Sequence, residues 1–287
     1  MCWSHFLADL KLMFYRYKRI VEGFTEFGTP NLKYYAFDWD DNIMTMPTQI
    51  MVLDENGDEV GMSTEDFAEY RGVIGKEPFQ YKGHNIVGLD YTTAFRNFRT
   101  DGDEQFKVDV LTGEKGPVWN DFVEAINNGS IFSIITARGH SPQTIRDAIY
   151  NMIILDVGGL SKRQLIKNLR KFRKFMNMDK MNDKELINNY LDMCKFYPVS
   201  YGTGVESNPE EAKVKAMRDF VIYVKQLSEE LNQRAKIKNL VMNRFIPSIG
   251  FSDDDLKNVE LMKKEFEDDP DNILQTYITK GGIKKKY

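Results

Sequence analysis

The sequence predicts an α/β fold: a doubly wound, mostly parallel sheet that carries inserted segments. Three observations predict it. Short apolar runs ending abruptly in polar or acidic residues recur at KYYAFDW, IFSIITARG and FIPSIGFSDDD, as buried parallel strands do where they open into loops. Amphipathic stretches such as VWNDFVEAINNGS and NPEEAKVKAMRDFVIYVKQLSEELNQ lie between these runs, and that alternation marks βαβ units. With 287 residues, 42% hydrophobic and 13% aromatic, the chain has the material to cover both faces of such a sheet.

In chain order, residues 1–30 place Trp3, Leu7, Leu10 and Phe14 on one helical face. A docking helix is the plain expectation, and a membrane-surface helix the sharper alternative. The run 33–39 is a strand ending at Asp38, Asp40 and Asp41. TQIMVLDENGDEVGMST then alternates around Asn56-Gly57 as a β-hairpin. The same stretch sets Asp54, Asn56, Asp58 and Glu65 at calcium-loop spacing, but Glu59 stands where that loop requires glycine, so the hairpin is preferred. After a loop-rich aromatic stretch comes a helix closed by Asn128-Gly129, then a strand ending at Thr136. Residues 141–195 read as helical. Within them Lys162, Arg163, Lys167, Arg170, Lys171, Arg173 and Lys174 oppose Leu165, Leu169, Phe172 and Met176. That is either a solvated basic face or a cap helix that draws in an anionic substrate. KFYPVSYG is strand-like, and the next helix has Asn208 as N-cap, Pro209 in its first turn, and Glu210 and Glu211 at its positive end. FIPSIGFSDDD and ILQTYITKGG complete the strands, with IKKKY expected as a solvated tail.

This layout divides the chain into a helical extension over 1–30 and a core from 31–44, 118–140 and 196–287. Residues 45–117 form a first, hairpin-containing cap, and 141–195 a second, helical insertion. The balance of 43 acids to 39 bases, net −4, argues against a whole-chain nucleic-acid binder. Cys2 and Cys194 have neither metal-ligand spacing nor the density of a disulfide scaffold, so a reducing cytoplasm is expected. No apolar run approaches the roughly 20 residues of a membrane span, and the N-terminus lacks a signal peptide's apolar centre. His5, His84 and His140 form no ligand set, although His140 follows a strand end and could touch substrate.

In open α/β sheets ligands bind beyond the carboxyl ends of the strands. Those ends supply Asp38, Asp40, Asp41, Asp253, Asp254 and Asp255, with Thr136 and Arg138. Brought together, such carboxylates repel one another by several kcal/mol unless a cation or protons neutralise them. Oxygen donors without His or Cys favour Mg²⁺ over zinc.

FDWDDNI resembles the first motif of the haloacid dehalogenase superfamily, an apolar strand followed by Asp-x-Asp. ITAR is similar to its second motif, EEAKVKAM to the third and IGFSDDDLKNV to the fourth, all in the family's order. The resemblance implies a Rossmann-like core and a Mg²⁺-dependent phosphohydrolase. Asp38 would be the nucleophile and Asp40 the acid and base. Asp38, the backbone carbonyl of Asp40 and Asp253 would hold the metal, with Asp254 nearby or acting through water. Thr136 would bind phosphoryl oxygens, Lys213 would neutralise charge, with Lys215 its competitor, and Arg138 would be a further phosphate or substrate contact. Where the family commonly has Gly-Thr after Asp-x-Asp, this chain has Asp41-Asn42, which raises the question of added charge near the metal. The substrate expected is a phosphomonoester, with a nucleotide or a nucleic-acid phosphate end suggested by the basic helix. Two rivals stand beside it: a binding or structural protein with little catalysis, and a metal-dependent nuclease.

Overall fold

The computed structural model describes residues 31–172, 180–202, 208–237 and 246–287, so the expected N-terminal helix and Arg173, Lys174 and Met176 lie outside the described residues. A six-stranded sheet is built from β1 (Asn31–Phe37), β8 (Phe132–Thr136), β9 (Lys195–Pro198), β10 (Ile246–Asp253), β11 (Leu274–Ile278) and β12 (Lys285–Lys286), in the order β12-β11-β10-β1-β8-β9. Every pairing is parallel except β11 with β12. From β1 the chain steps outward through β8 to β9, then returns to the other side of β1 as β10 and β11. The direction of travel therefore reverses between β1 and β10.

Strand periodicity explains the two-sided core. Phe37, Phe132 and Ile134 point to one face, where they meet Phe122, Ile149, Leu165 and Leu186 from the covering helices. Tyr34, Ala36, Ile135, Ile249 and Phe251 point to the other, against Met217, Phe220 and Val259. The first face is covered by α3 (Trp119–Asn128), α4 (Pro142–Ile154), α5 (Lys162–Phe172) and α6 (Asp183–Met193), and the second by α7 (Pro209–Ile237) and α8 (Leu256–Phe266). Local signals set their ends. Gly129 at φ 70° closes α3, Ser141 caps α4, and Asn182 with Glu185 makes a capping box for α6.

The described residues of 141–195 are thus not a cap. Their apolar faces belong to the layer that buries the sheet, between β8 and β9. The expected solvated tail is also corrected: Lys285–Lys286 pairs with the edge of β11, and Lys284 Nζ reaches Asp121 at 2.9 Å. An edge strand's unpaired backbone groups are what such a segment satisfies.

The segment after β1 does leave the sheet. β2 (Met44–Thr45) and β7 (Glu114–Lys115) pair as a short stem, between which lies a four-stranded antiparallel sheet, β4-β3-β6-β5. It comprises β3 (Ile50–Asp54), β4 (Glu59–Met62), β5 (Phe79–Tyr81) and β6 (His84–Gly88) around a small core of Val52, Met62 and Ile86, with α1 (Thr64–Tyr70) following β4. Asp54 Oδ1 accepts from the amides of Asn56 and Asp58 at 2.9 Å each, so the calcium-spaced acids serve the hairpin turn. The second hairpin, around Lys82 and Gly83 with φ 48° and 85°, falls where the sequence suggested only loop. Returning toward β7, α2 (Asp103–Asp109) lays Phe106 against Trp39 in the main core.

Candidate active site

The site lies beyond the carboxyl ends of β1 and β10, where the sheet reverses its winding and open α/β sheets bind ligands. The β1–β10 ladder carries on to the Asp38 amide, which donates to Ser252 O at 3.0 Å, and this sets Asp38 beside the last residues of β10. A tight turn follows, with Asp41 at φ 53° and its amide on Met44 O. Asn42 is fully buried inside that turn. Its Nδ2 donates to Asp38 O, Ser252 O and Ser252 Oγ at 3.0–3.1 Å, and its Oδ1 accepts from Thr279 Oγ1 at 2.9 Å. The residue that departs from the family pattern thus ties the ends of β1, β10 and β11 together.

One oxygen each from Asp38, Asp253 and Asp254 lie within 4.8 Å of one another. Lys213, on the first turn of α7 and 3% exposed, places Nζ 3.0 Å from Asp38 Oδ1 and 2.8 Å from Asp253 Oδ2. Lys215 is exposed, so of the two lysines it is Lys213 that the fold brings to the acids. Asp253 also accepts from the Asp255 amide at 2.9 Å and from Asn258 Nδ2 at 3.1 Å. Asp38 Oδ1 is buried and, despite its ion-pair distance to Lys213, receives no well-directed hydrogen bond. Asp255 instead caps α8 through the Lys257 amide.

Burial, then the neighbouring acids, hold Asp38 well above the usual carboxylate range against the opposing pull of Lys213. Burial and Asp253 likewise push Asp254 up to about 8. Burial works against the charged form of Lys213, but Asp253 and Asp38 outweigh it and keep the ammonium protonated. Three acids thus share one ammonium in a nearly closed space, held there by protons in place of a cation, and one buried oxygen of Asp38 lacks a well-directed donor. Such an oxygen-only set can hold a divalent cation.

Asp40, expected to offer a metal its backbone carbonyl and to serve as acid and base through its carboxyl group, has that carboxyl group engaged by the protein. Both its oxygens accept from Arg138, Nη2 on Oδ1 at 2.6 Å and Nε on Oδ2 at 2.9 Å. Arg138, expected as a substrate contact, is 1% exposed. It is flanked by the rings of Phe98 and Phe106 at 4.6 and 4.9 Å and also donates to Thr48 Oγ1. Four of its five N–H groups are spent on Asp40, Thr48 and His140. His140 Nε2 sits 3.2 Å from Arg138 Nη1 and its Nδ1 2.8 Å from Asp103 Oδ1. Burial and then Arg138 lower its pKa, so the neutral ring donates from Nδ1 to Asp103 and accepts at Nε2. His140 therefore braces Arg138. Thr136 Oγ1 accepts from the Arg138 amide at 3.3 Å, which leaves its own proton for an acceptor in the cavity it lines.

Above these groups lies a cavity of about 500 Å³, walled on its far side by Ile50, Phe67, Leu89, Phe95 and Phe98 from the inserted segment. Arg71 and Arg99 also line it. No local pattern singled out these residues, which lie apart in the chain from the acidic strand ends. The segment carrying Phe98 and Arg99 docks beside the loop after β8, with the Gly139 amide donating to Phe98 O at 2.7 Å. Asp41 Oδ2 accepts from Thr64 Oγ1 of α1 at 2.6 Å, and its charge still acts on the acidic cluster, where it helps to raise Asp254. Arg71, just past α1, pairs with Asp255 at 2.8 Å. The basic helix contributes nothing here: no residue of α5 lines the cavity, and its Leu165 and Leu169 are buried in the core. No family model, curated protein or solved structure matches this chain.

Proposed function

We propose that this chain is a Mg²⁺-dependent phosphohydrolase of the haloacid dehalogenase type, cleaving a phosphomonoester through an aspartyl-phosphate on Asp38. The observation that carries the reading is the convergence of Asp38, Asp253, Asp254 and Lys213 at the winding reversal of a mostly parallel sheet. Three further features support it: the oxygen donor set, the crowding of three acids around one ammonium, and Thr136 with a free hydroxyl proton at the neighbouring strand end.

Asp38, Asp253 and Asp254 would hold Mg²⁺, which would supply the positive charge that lets an anionic substrate approach an anionic nucleophile. A carboxylate oxygen of Asp38 attacks phosphorus, forming the acyl phosphate as the bond to the leaving oxygen breaks. Lys213 and Thr136 steady the charge on the equatorial oxygens. Asp40 gives the leaving oxygen a proton, then takes one from the water that attacks the acyl phosphate, releasing phosphate and restoring Asp38. An ionised Asp40 is held by both arms of Arg138, so loading its proton requires one of those contacts to open. Burying Asp38 and Asp253, with Asp254 half-buried beside them, costs several kcal/mol, which favours a working site over a purely structural role.

The test is Asp38→Asn, assayed for Mg²⁺-dependent phosphate release. Activity should vanish while the melting temperature holds, since the change relieves repulsion in the cluster; turnover at the wild-type rate would remove the mechanism.

A further inference from the structure

The cavity is two-sided. Its floor is the charged cluster, and its far wall is apolar and aromatic, which is more than a phosphoryl group needs. Phe67 and Phe95 meet edge to face at 5.5 Å, Tyr91 leans on Phe95 at 6.4 Å, and Phe98 lies beneath the Arg138 guanidinium. None of the first three is fully buried, so they offer ring surface to the cavity they line. Arg99 stands at the join between the two halves. Its backbone bridges to Gly139, three residues beyond Thr136, and its side chain lines the cavity. The other arginines near the site have carboxylates, Arg71 with Asp255 and Arg138 with Asp40. Arg99 has no carboxylate partner among the described residues.

Aromatic rings prefer offset or edge-to-face contact with another ring over contact with an aliphatic chain of equal size. A guanidinium in a concave, partly desolvated wall is best satisfied by an anion, and by a carboxylate or phosphate in particular. The volume suits a small organic molecule rather than a polymer.

We propose that the cavity takes a phosphomonoester of an aromatic alcohol bearing a second anionic group, with the ring seated against Phe67 and Phe95 and the second anion on Arg99. This rests on the phosphohydrolase reading for the orientation of the phosphoryl group toward Asp38. It gives the insertion a recognition role that the basic helix, remote from the cavity, does not fill.

Calorimetry on the full chain with Mg²⁺ tests the preference without turnover, using propylphosphonate, benzylphosphonate and para-carboxybenzylphosphonate as probes. The benzyl compound should bind about tenfold more tightly than the propyl compound, and the added carboxylate should contribute roughly a further tenfold. Arg99→Gln should erase the carboxylate increment, and Arg99→Lys should restore part of it. Equal affinity for all three probes, failure of all three to bind, or an increment indifferent to Arg99→Gln would overturn the proposal. Hydrolysis of benzyl phosphate and propyl phosphate, esters with similar leaving groups, is followed in parallel. Graded binding without hydrolysis would sink the phosphatase reading and leave the aromatic site standing. Hydrolysis with no preference would do the reverse.

Discussion

Lys213 Nζ lies within 3.0 Å of both Asp38 and Asp253, so one side chain offsets the repulsion between the ends of two strands. Lys213→Met removes that charge at nearly constant volume. Activity should fall by about 10²–10³, as when one donor to a developing oxyanion is lost, and steady-state assays check it; a loss under threefold would deny Lys213 a place in the chemistry. Protons supply a second prediction. Asp254 titrates near 8 and Asp38 is also raised, so the folded protein binds these protons more tightly than the unfolded chain. Their contribution to stability is complete below the ordinary carboxylate pKa and is lost as pH climbs toward 8. Melts of EDTA-treated protein should therefore fall in temperature from about pH 5 to 8, and the stabilisation by Mg²⁺ should widen over the same window as the cation replaces the protons. A Mg²⁺ effect independent of pH would contradict this cluster as its binding place. At this scale the sequence was informative for Asp38, Asp253, Thr136 and Lys213, because strand ends and a helix start can be recognised from local pattern. It was silent on Arg138 with Asp40, a pair separated by 98 positions that only tertiary approach creates.

The turn from β1 into the insertion depends on backbone as much as on side chains. Asp41 holds φ 53°, a conformation that Asn and Asp tolerate and β-branched residues resist. In urea denaturation Asp41→Asn should stay near wild type and Asp41→Val should lose about 1–2 kcal/mol; equal stability of the two would mean the turn relaxes at no cost. Element types were legible wherever a period ran long enough. The buried strands, the first hairpin and α7 all lie where apolar spacing put them. The hairpin of β5 and β6 was obscured because FQYKGHNIVG alternates weakly, although Lys82-Gly83 was the available turn signal. The helices over 141–195 were recognised as helices but misassigned as an insertion. Amphipathicity says that a helix has a partner and leaves open which surface that partner is.

For the molecule as a whole, the winding of the sheet decides where chemistry can occur, and the alternation of strands and helices made that class readable. The reach of the inserted sheet over the strand ends was not readable, since it depends on where Phe98 and Arg99 dock. Two contacts tie α1 down to the core: Thr64 to Asp41, half-buried and uncharged at one end, and Arg71 to Asp255, exposed and ionic. Salt weakens the second far more than the first. Raising sodium chloride from about 20 mM to 500 mM, where the screening length shrinks to a few ångströms, should loosen one side of the covering segment. Hydrogen exchange of the α1 amides should speed up with salt in wild type and be salt-insensitive in Arg71→Gln; identical responses would show that the pair does not hold the segment. A protein stored in dilute buffer and the same protein in brine would then differ in how easily bulky molecules get in, so that ionic strength becomes a sieve setting for what the cavity admits.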